Sequence, residues 1–565
     1  MGLATPRHET TPAHSSAPRG LGQTRLQNKT PPAEQKSISA LEIIRCFHPP
    51  ETRCIFERPD SSIEGGHTPF APELIRPIFI ERTSNPHRTH PLAMRMIIPL
   101  VLFLVFGIAP SPARADRFVT GQAAASVLGQ TDFNSGSSGN APHRFQNPES
   151  VAIDPVTGKV FVADSGHYRI LRFSGAAALL NGSFPEAVIG QPNFSTTLQN
   201  QGGLPGPNTL NFVYQITVDS NGRLWVCDSG NNRVLCFVAA SFLGNNPPAD
   251  YVFGQPDFTT VSPGTTIAKA DYPAGIAVGP DDSLWVADAD NNRVLRFANI
   301  SSKSSGADAD QVLGQANFVT DASATTATGM YSPFSLSVDS GGRLWVADTY
   351  NHRVLRFDNA ASLANGSPAS GVLGQVLLTT SSNGTSADQF LDPYGVLAGP
   401  DGTVYVGDWG NERVMGFRNA AVVGDGASAN FVLGKPDFNT NIGGPSATLT
   451  GGVVNLALSA AGELFVADYG FHRVVRFSPV KSPTLQVLTK TRTTKATELR
   501  VVGTAGGAVT SVVWRVGASG PFKTASGTTS WNFKTKLKRG KNVITVVAIG
   551  PGGDSAPRVF SVRRK

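Results

Sequence analysis

Six aspartates in this chain each stand five residues before an arginine. The pairs are Asp164 and Arg169, Asp228 and Arg233, Asp288 and Arg293, Asp348 and Arg353, Asp408 and Arg413, and Asp468 and Arg473. A carboxylate beside a guanidinium can orient a base, hold an anion, or close on itself as a brace. Three histidines, His167, His352 and His472, lie inside the same windows, and imidazole can ligate a metal or carry a proton. Catalysis needs asymmetry: one base, one acid, one substrate. Six equivalent pairs therefore read as structural staples rather than active sites. In "DADNNRVLRF", Asp288 and Arg293 would face each other across a four-residue hairpin loop, with Asn291 supplying a left-handed residue.

The elements that must position these pairs show in the spacing. The aspartates advance by 64 residues and then by 60 four times over. A second landmark, Gly-Gln in "VLGQTDF" and its relatives, starts at 129, 190, 254, 314 and 374, with Gly-Lys at 434. A fixed period in an all-β pattern means blades, a solenoid or an array. Each period carries four short runs rich in β-branched and aromatic residues. In the third copy they are "GIAVG" (275–279), "LWVAD" (284–288), "RVLRF" (293–297) and "QVLGQ" (311–315). Four antiparallel strands per repeat make the blade of a β-propeller.

"YPAGIAVGPDDSLWVADADNNRVLRF" and "DPYGVLAGPDGTVYVGDWGNERVMGF" resemble the NHL-repeat family of β-propellers. The resemblance spans residues 122–478 and implies a six-bladed all-β propeller. The last copy ends at Phe477 without a Gly-Gln strand, and "SVLGQ" (126–130) precedes the first copy without a blade of its own. Residues 125–130 are therefore expected to complete the sixth blade, leaving no open edge.

In such a propeller the start of each innermost strand lines the mouth of the central channel. Here those starts are unequal, and Glu149, Tyr214, Gln215, Phe334, Tyr394 and Asn455 would form a rim of aromatic and amide groups with one carboxylate. That rim suits a protein, peptide or glycan; the blander reading is plain channel lining. Two enzyme classes are implied by neighbouring propeller families. Lactonase-like propellers hold calcium with Glu, Asn and Asp, and Glu149 with Asn455 does not complete that set. The amidating lyase resembling NHL propellers uses His-bound zinc, but His167, His352 and His472 fall in copies one, four and six and read as turn residues. No G-x-S-x-G, HExxH or P-loop motif occurs. No metal and no cofactor is expected.

Cys227 and Cys236 flank the second copy. By parity they share a face of adjacent strands, so a cross-strand disulfide is one reading and two separate thiols the other. Cys46 and Cys54 complete the four cysteines, too few for a disulfide scaffold.

Residues 483–565 change character. "TSWNFKTKLKRG" and "NVITVVAIGPGG" alternate polar and apolar residues and resemble bacterial Ig-like modules, small β-sandwiches, with Trp514 and Trp531 as core anchors. Lys534, Lys536, Lys538, Arg539 and Lys541 crowd one hairpin. Residues 479–565 carry 16 bases and 2 acids, whereas 116–478 carry 19 bases and 30 acids. The basic module could hold an anionic envelope polymer, or its lysines could only protect an edge.

At the other end, "MRMIIPLVLFLVFGIAPSPARADRF" has a basic start, a thirteen-residue apolar run and a small-x-small site at Ala113–Ala115. Residues 94–115 read as a signal peptide, and 1–93 as a non-native or disordered leader. The expectation is a secreted, periplasmic or cell-surface monomer that binds a ligand through the propeller face, with no specific nucleic acid as partner. The rival is a metal-dependent hydrolase or lyase at the channel mouth.

Overall fold

The β-branched runs become strands where the spacing puts them. In the third copy, Pro273–Val278, Leu284–Asp288, Arg293–Phe297 and Gln311–Leu313 form one antiparallel sheet in that order. Both faces of Leu284–Asp288 are buried, because sheets pack on either side of it. The fourth strand stops at Leu313 because Gly314 turns the chain at φ +85°, and a Cβ there would lie 2.9 Å from Met330 Sδ.

The structure, a computed structural model, describes residues 118–440 and 442–565. The leader, the signal-like segment, Cys46 and Cys54 lie outside the described residues. Among the described residues there are strands and short 3₁₀ turns but no α-helix, and six four-stranded antiparallel sheets. One of the six joins the start and the end of the repeat array: Ser126–Leu128 pairs with Arg473–Phe477, with Ser126 opposite Arg476. The first strand of each sheet touches that of the next, and Val453–Leu458 of the last touches Pro148–Ile153 of the first.

The apolar cores lie between neighbouring sheets rather than within them. Trp285 packs with Leu313 of its own sheet and with Leu336, Leu344 and Val346 of the next. Trp225 and Trp345 fill the corresponding places and are almost fully buried. Each such side chain stabilises the packing by about 1.5–3 kcal/mol. The Gly-Gln landmark closes the turns. Gln255 Nε2 donates to the Asn232 carbonyl at 2.9 Å and to the Ser262 carbonyl at 3.0 Å. Where Lys435 replaces glutamine, its buried ammonium reaches the Ile442 carbonyl at 2.7 Å and Glu412 at 2.8 Å.

The C-terminal residues form two further sheets. One holds Thr484–Val487, Glu498–Gly506 and Ser530–Lys536; the other is built on Arg558–Arg564, Gly540–Gly550 and Ser511–Val516. Val501, Trp514, Trp531, Phe533, Ile544 and Val546 share one core, and Trp514 stacks on Phe533 at 4.2 Å. Lys534, Lys536, Lys538, Arg539 and Lys541 are all exposed.

Candidate functional site

The Asp–Arg pairs come first, because they hold the strand ends that form the mouth. Each Asp stands directly opposite its Arg in the ladder. Carboxylate and guanidinium meet at 2.6–2.8 Å with both side chains essentially buried. The second carboxylate oxygen accepts a backbone N–H from the segment entering the innermost strand, as Asp288 does from Asp271 at 2.6 Å. The free guanidinium nitrogens donate to carbonyls on both flanking loops. For Arg293 these are Phe318, Thr266 and Lys269. Arg473 reaches Phe133 across the chain closure at 2.6 Å. Each pair thus satisfies two hairpins and two loops, and every polar atom of the arginine fork has a partner.

The loop differs from expectation in one detail. Asn292, not Asn291, is the left-handed residue, at φ +53°. Asn291 instead donates to Asp288 at 2.9 Å. His167 takes the same role in the first copy, with Nδ1 2.9 Å from Asp164. His352 and His472 occupy the left-handed position. Their Nδ1 atoms accept the backbone N–H groups of Asp392 and Asn147, at 3.2 and 3.1 Å. Burial lowers the His472 pKa, which favours the neutral ring. All three histidines serve turns, and among the described residues no three His, Cys, Asp or Glu side chains gather into a set that could hold a metal ion.

The mouth is built by a bulge repeated in all six innermost strands. The register shifts between Pro148 and Ser150, Pro273 and Gly275, Pro333 and Ser335, and at the matching places in the other three. A bulge adds one residue and re-aims its side chain. It divides the strand starts into two tiers. One tier is Glu149, Tyr214, Ala274, Phe334, Tyr394 and Val454; the other is Ser150, Gln215, Gly275, Ser335, Gly395 and Asn455.

All six residues expected at the rim line one small cavity, but the oxygens of both amides are already engaged. Gln215 Oε1 accepts from the Ile276 N–H at 3.1 Å and the Leu336 N–H at 3.4 Å, while Nε2 donates to the Leu336 carbonyl at 3.3 Å. It spans the axis from the second sheet to the fourth. Asn455 Oδ1 accepts from Ser150 Oγ at 3.0 Å, and Ser150 Oγ accepts from the Ile216 N–H at 3.1 Å. Gly275 is required in this tier, since a Cβ there would sit 2.8 Å from the Phe334 carbonyl. Gln215 and Asn455 therefore pin the innermost strands of other sheets. They also line the axial channel of about 220 Å³ on their other side.

The upper tier carries the open chemistry. Phe334 packs on Tyr394 at 4.6 Å and on Tyr214 at 5.4 Å. The cluster widens to Tyr272, Tyr350 and Trp409, none of which was singled out in the sequence because they come from turns of different copies. Tyr350 is exposed and Tyr214, Tyr272, Tyr394 and Trp409 are half-buried. The space among the upper-tier groups is about 10 Å³, room for about one water. Glu149 is 4% exposed, and among the described residues no hydrogen bond reaches its carboxyl. Burial alone pushes its pKa up to about 8, so it is protonated at neutral pH. Burial also raises Tyr214 and Tyr394, and pushes Tyr272 up to about 12, with the Glu149 charge adding to each.

Cys227 and Cys236 do not form the disulfide considered for them. Cys227 stands opposite Val234 and Cys236 opposite Trp225, so the two sulfurs are diagonal rather than facing. Both thiols are free and buried, and burial pushes Cys236 up to about 12.

The NHL repeat is matched at residues 145–173, 215–237, 271–297 and 330–357. Teneurin-3 of Mus musculus is 26% identical over 297 residues, 49% of this chain and 10% of its own length. Peptidyl-glycine alpha-amidating monooxygenase B of Xenopus laevis is 28% identical over 198 residues, 28% of this chain and 21% of its own. The chain spans about a tenth of the length of the teneurins it matches. Among solved structures, a gluconolactonase from Xanthomonas campestris aligns at a TM-score of 0.36 and 12% identity, covering 65% of this chain and 96% of that one.

Proposed function

We propose that this NHL-repeat β-propeller is a binding scaffold that takes a protein, peptide or glycan on its aromatic mouth. In this reading the six sheets are six blades of one ring locked by the N-terminal strand, and the chain acts at the cell surface, in the periplasm or after secretion. The C-terminal sheets form a basic Ig-like module that attaches to an anionic envelope polymer. Its exposed lysines and a groove of about 870 Å³ lined by Arg492 and Arg558 support that role.

One observation carries the reading. The Asp–Arg pairs that brace the hairpins hold the same two residues in every copy, whereas the upper tier of the mouth holds Glu, Tyr, Ala, Phe, Tyr and Val. Rings gathered there, partly open to solvent, give stacking surface at low entropic cost. The rival, a metal-dependent hydrolase or lyase, draws less support, since among the described residues no three His, Cys, Asp or Glu side chains gather beside Glu149.

The test is capture from the envelope of the producing cell on immobilised full-length protein, set against Tyr214→Ala and Tyr394→Ala. Loss of a specific captured species in both variants supports the mouth. Undiminished capture by both overturns it. Stoichiometric calcium or zinc with hydrolytic or lyase turnover would favour the rival.

A further inference from the structure

Glu149 has no visible reason to be a carboxylic acid. Glutamine would fill the same volume without the cost of burying an ionisable group. It sits in the upper tier, nine-tenths buried, aimed into the small cavity and unpartnered. The groups close enough to feel its charge are Tyr214, Tyr272, Tyr394 and Tyr469. Farther out on the same rim lie Asp271, Asp290 and Asp392, with His352 beside Asp392. The segment 116–478 has 30 acids against 19 bases.

Resting on the mouth as a binding face, we propose that Glu149 and the surrounding tyrosines recognise a cation, the alkylammonium or guanidinium head of a lysine or arginine on a protein or peptide partner. Ring faces attract such a head through their quadrupoles, and the carboxylate supplies its counter-charge. A neutral glycan would use the rings and leave the carboxyl without a task. The space present holds about one water, so the head group must part Tyr214 and Tyr394, which are only partly buried. The one bond that breaks is the carboxyl O–H, and its proton passes to water or buffer base. The carboxylate so formed pairs with the ligand's ammonium.

The coupling of proton and ligand supplies the test. A tetralysine peptide and its side-chain-acetylated counterpart are titrated calorimetrically into the full chain, in phosphate and in Tris. At pH 7 the wild type should bind tetralysine at least tenfold more tightly than the acetylated peptide and release about one proton. Its affinity should rise about tenfold per pH unit up to about 8, where Glu149 titrates, and then level off. Glu149→Gln and Glu149→Leu should abolish proton release and weaken binding at least tenfold. Equal binding by both variants would mean diffuse attraction to an acidic surface and would overturn the proposal, as would equal affinity for the acetylated peptide. If tetralysine fails to bind while Tyr214→Ala and Tyr394→Ala still lose envelope capture, the cation inference falls and the mouth reading survives. If those variants capture normally, the mouth reading falls.

Discussion

Two sets of side chains meet at the same end of the propeller sheets, and they obey opposite rules. The Asp–Arg pairs are buried, fully hydrogen-bonded and the same in all six copies. The upper tier, one bulge away on the adjoining strand, differs in nearly every copy and contains an acid with no partner. Buried charges are tolerated where each charged oxygen has a well-placed partner. A repeated fold supplies that match six times once the loop geometry is fixed. The mouth is where the repeats converge on an axis, and there the sequence is free to vary because the pairs already hold the strands.

The sharpest way to break this contrast is to remove one member of a pair. Arg293→Ala leaves the Asp288 carboxylate buried and uncompensated and should cost about 3–5 kcal/mol, read by denaturant unfolding. A loss below about 1 kcal/mol would make the pairs ornamental. The next effect has the opposite sign. Glu149 has a folded pKa raised from 4.5 to about 8, so between those values the folded state holds a proton that the unfolded state has lost. Stability therefore falls as pH rises through that window. Glu149→Gln should abolish this slope and stabilise the protein at pH 9 by a few kcal/mol, on the order set by linkage, with little difference near pH 4.5. Paired melts at the two pH values decide it.

Tyr394→Ala refines the comparison from the side of recognition. It should weaken ligand capture at least tenfold, about 1.4 kcal/mol, while lowering stability less than Arg293→Ala does. The smallest effect belongs to Cys227 and Cys236. With both thiols buried and unbonded, neither should be alkylated in the native protein, and both should be labelled once it is unfolded in the absence of reductant. Peptide mass spectrometry reads this directly, and a linked Cys227–Cys236 peptide would contradict it.

Much of this was legible in the sequence, and the gaps have physical causes. The period, the strand runs, the Asp–Arg registry and the pairing of Ser126–Leu128 with the last copy all follow from spacing. The bulge did not, because one inserted residue reverses the in–out parity that alternation relies on. Glu149 and Gln215 were therefore placed in a single rim, although one is unpartnered and the other is bonded across the axis. Tyr272, Tyr350 and Trp409 lie in the recurring turns at positions whose residue changes from copy to copy, and only the closure of the sheets brings them together. The diagonal cysteines share a strand face as parity demanded, but parity does not fix which residues stand opposite.

The contact between Arg473 and Phe133 joins positions 340 residues apart. During synthesis, at about 5–20 residues per second, the first strand leaves the ribosome tens of seconds before its mate exists. Until then an unpaired backbone edge is exposed at each end of the growing array, and two nascent chains side by side can trade those edges. Crowded polysomes should thus be where this protein assembles wrongly, as exchanged dimers, and dilution should be where it assembles well.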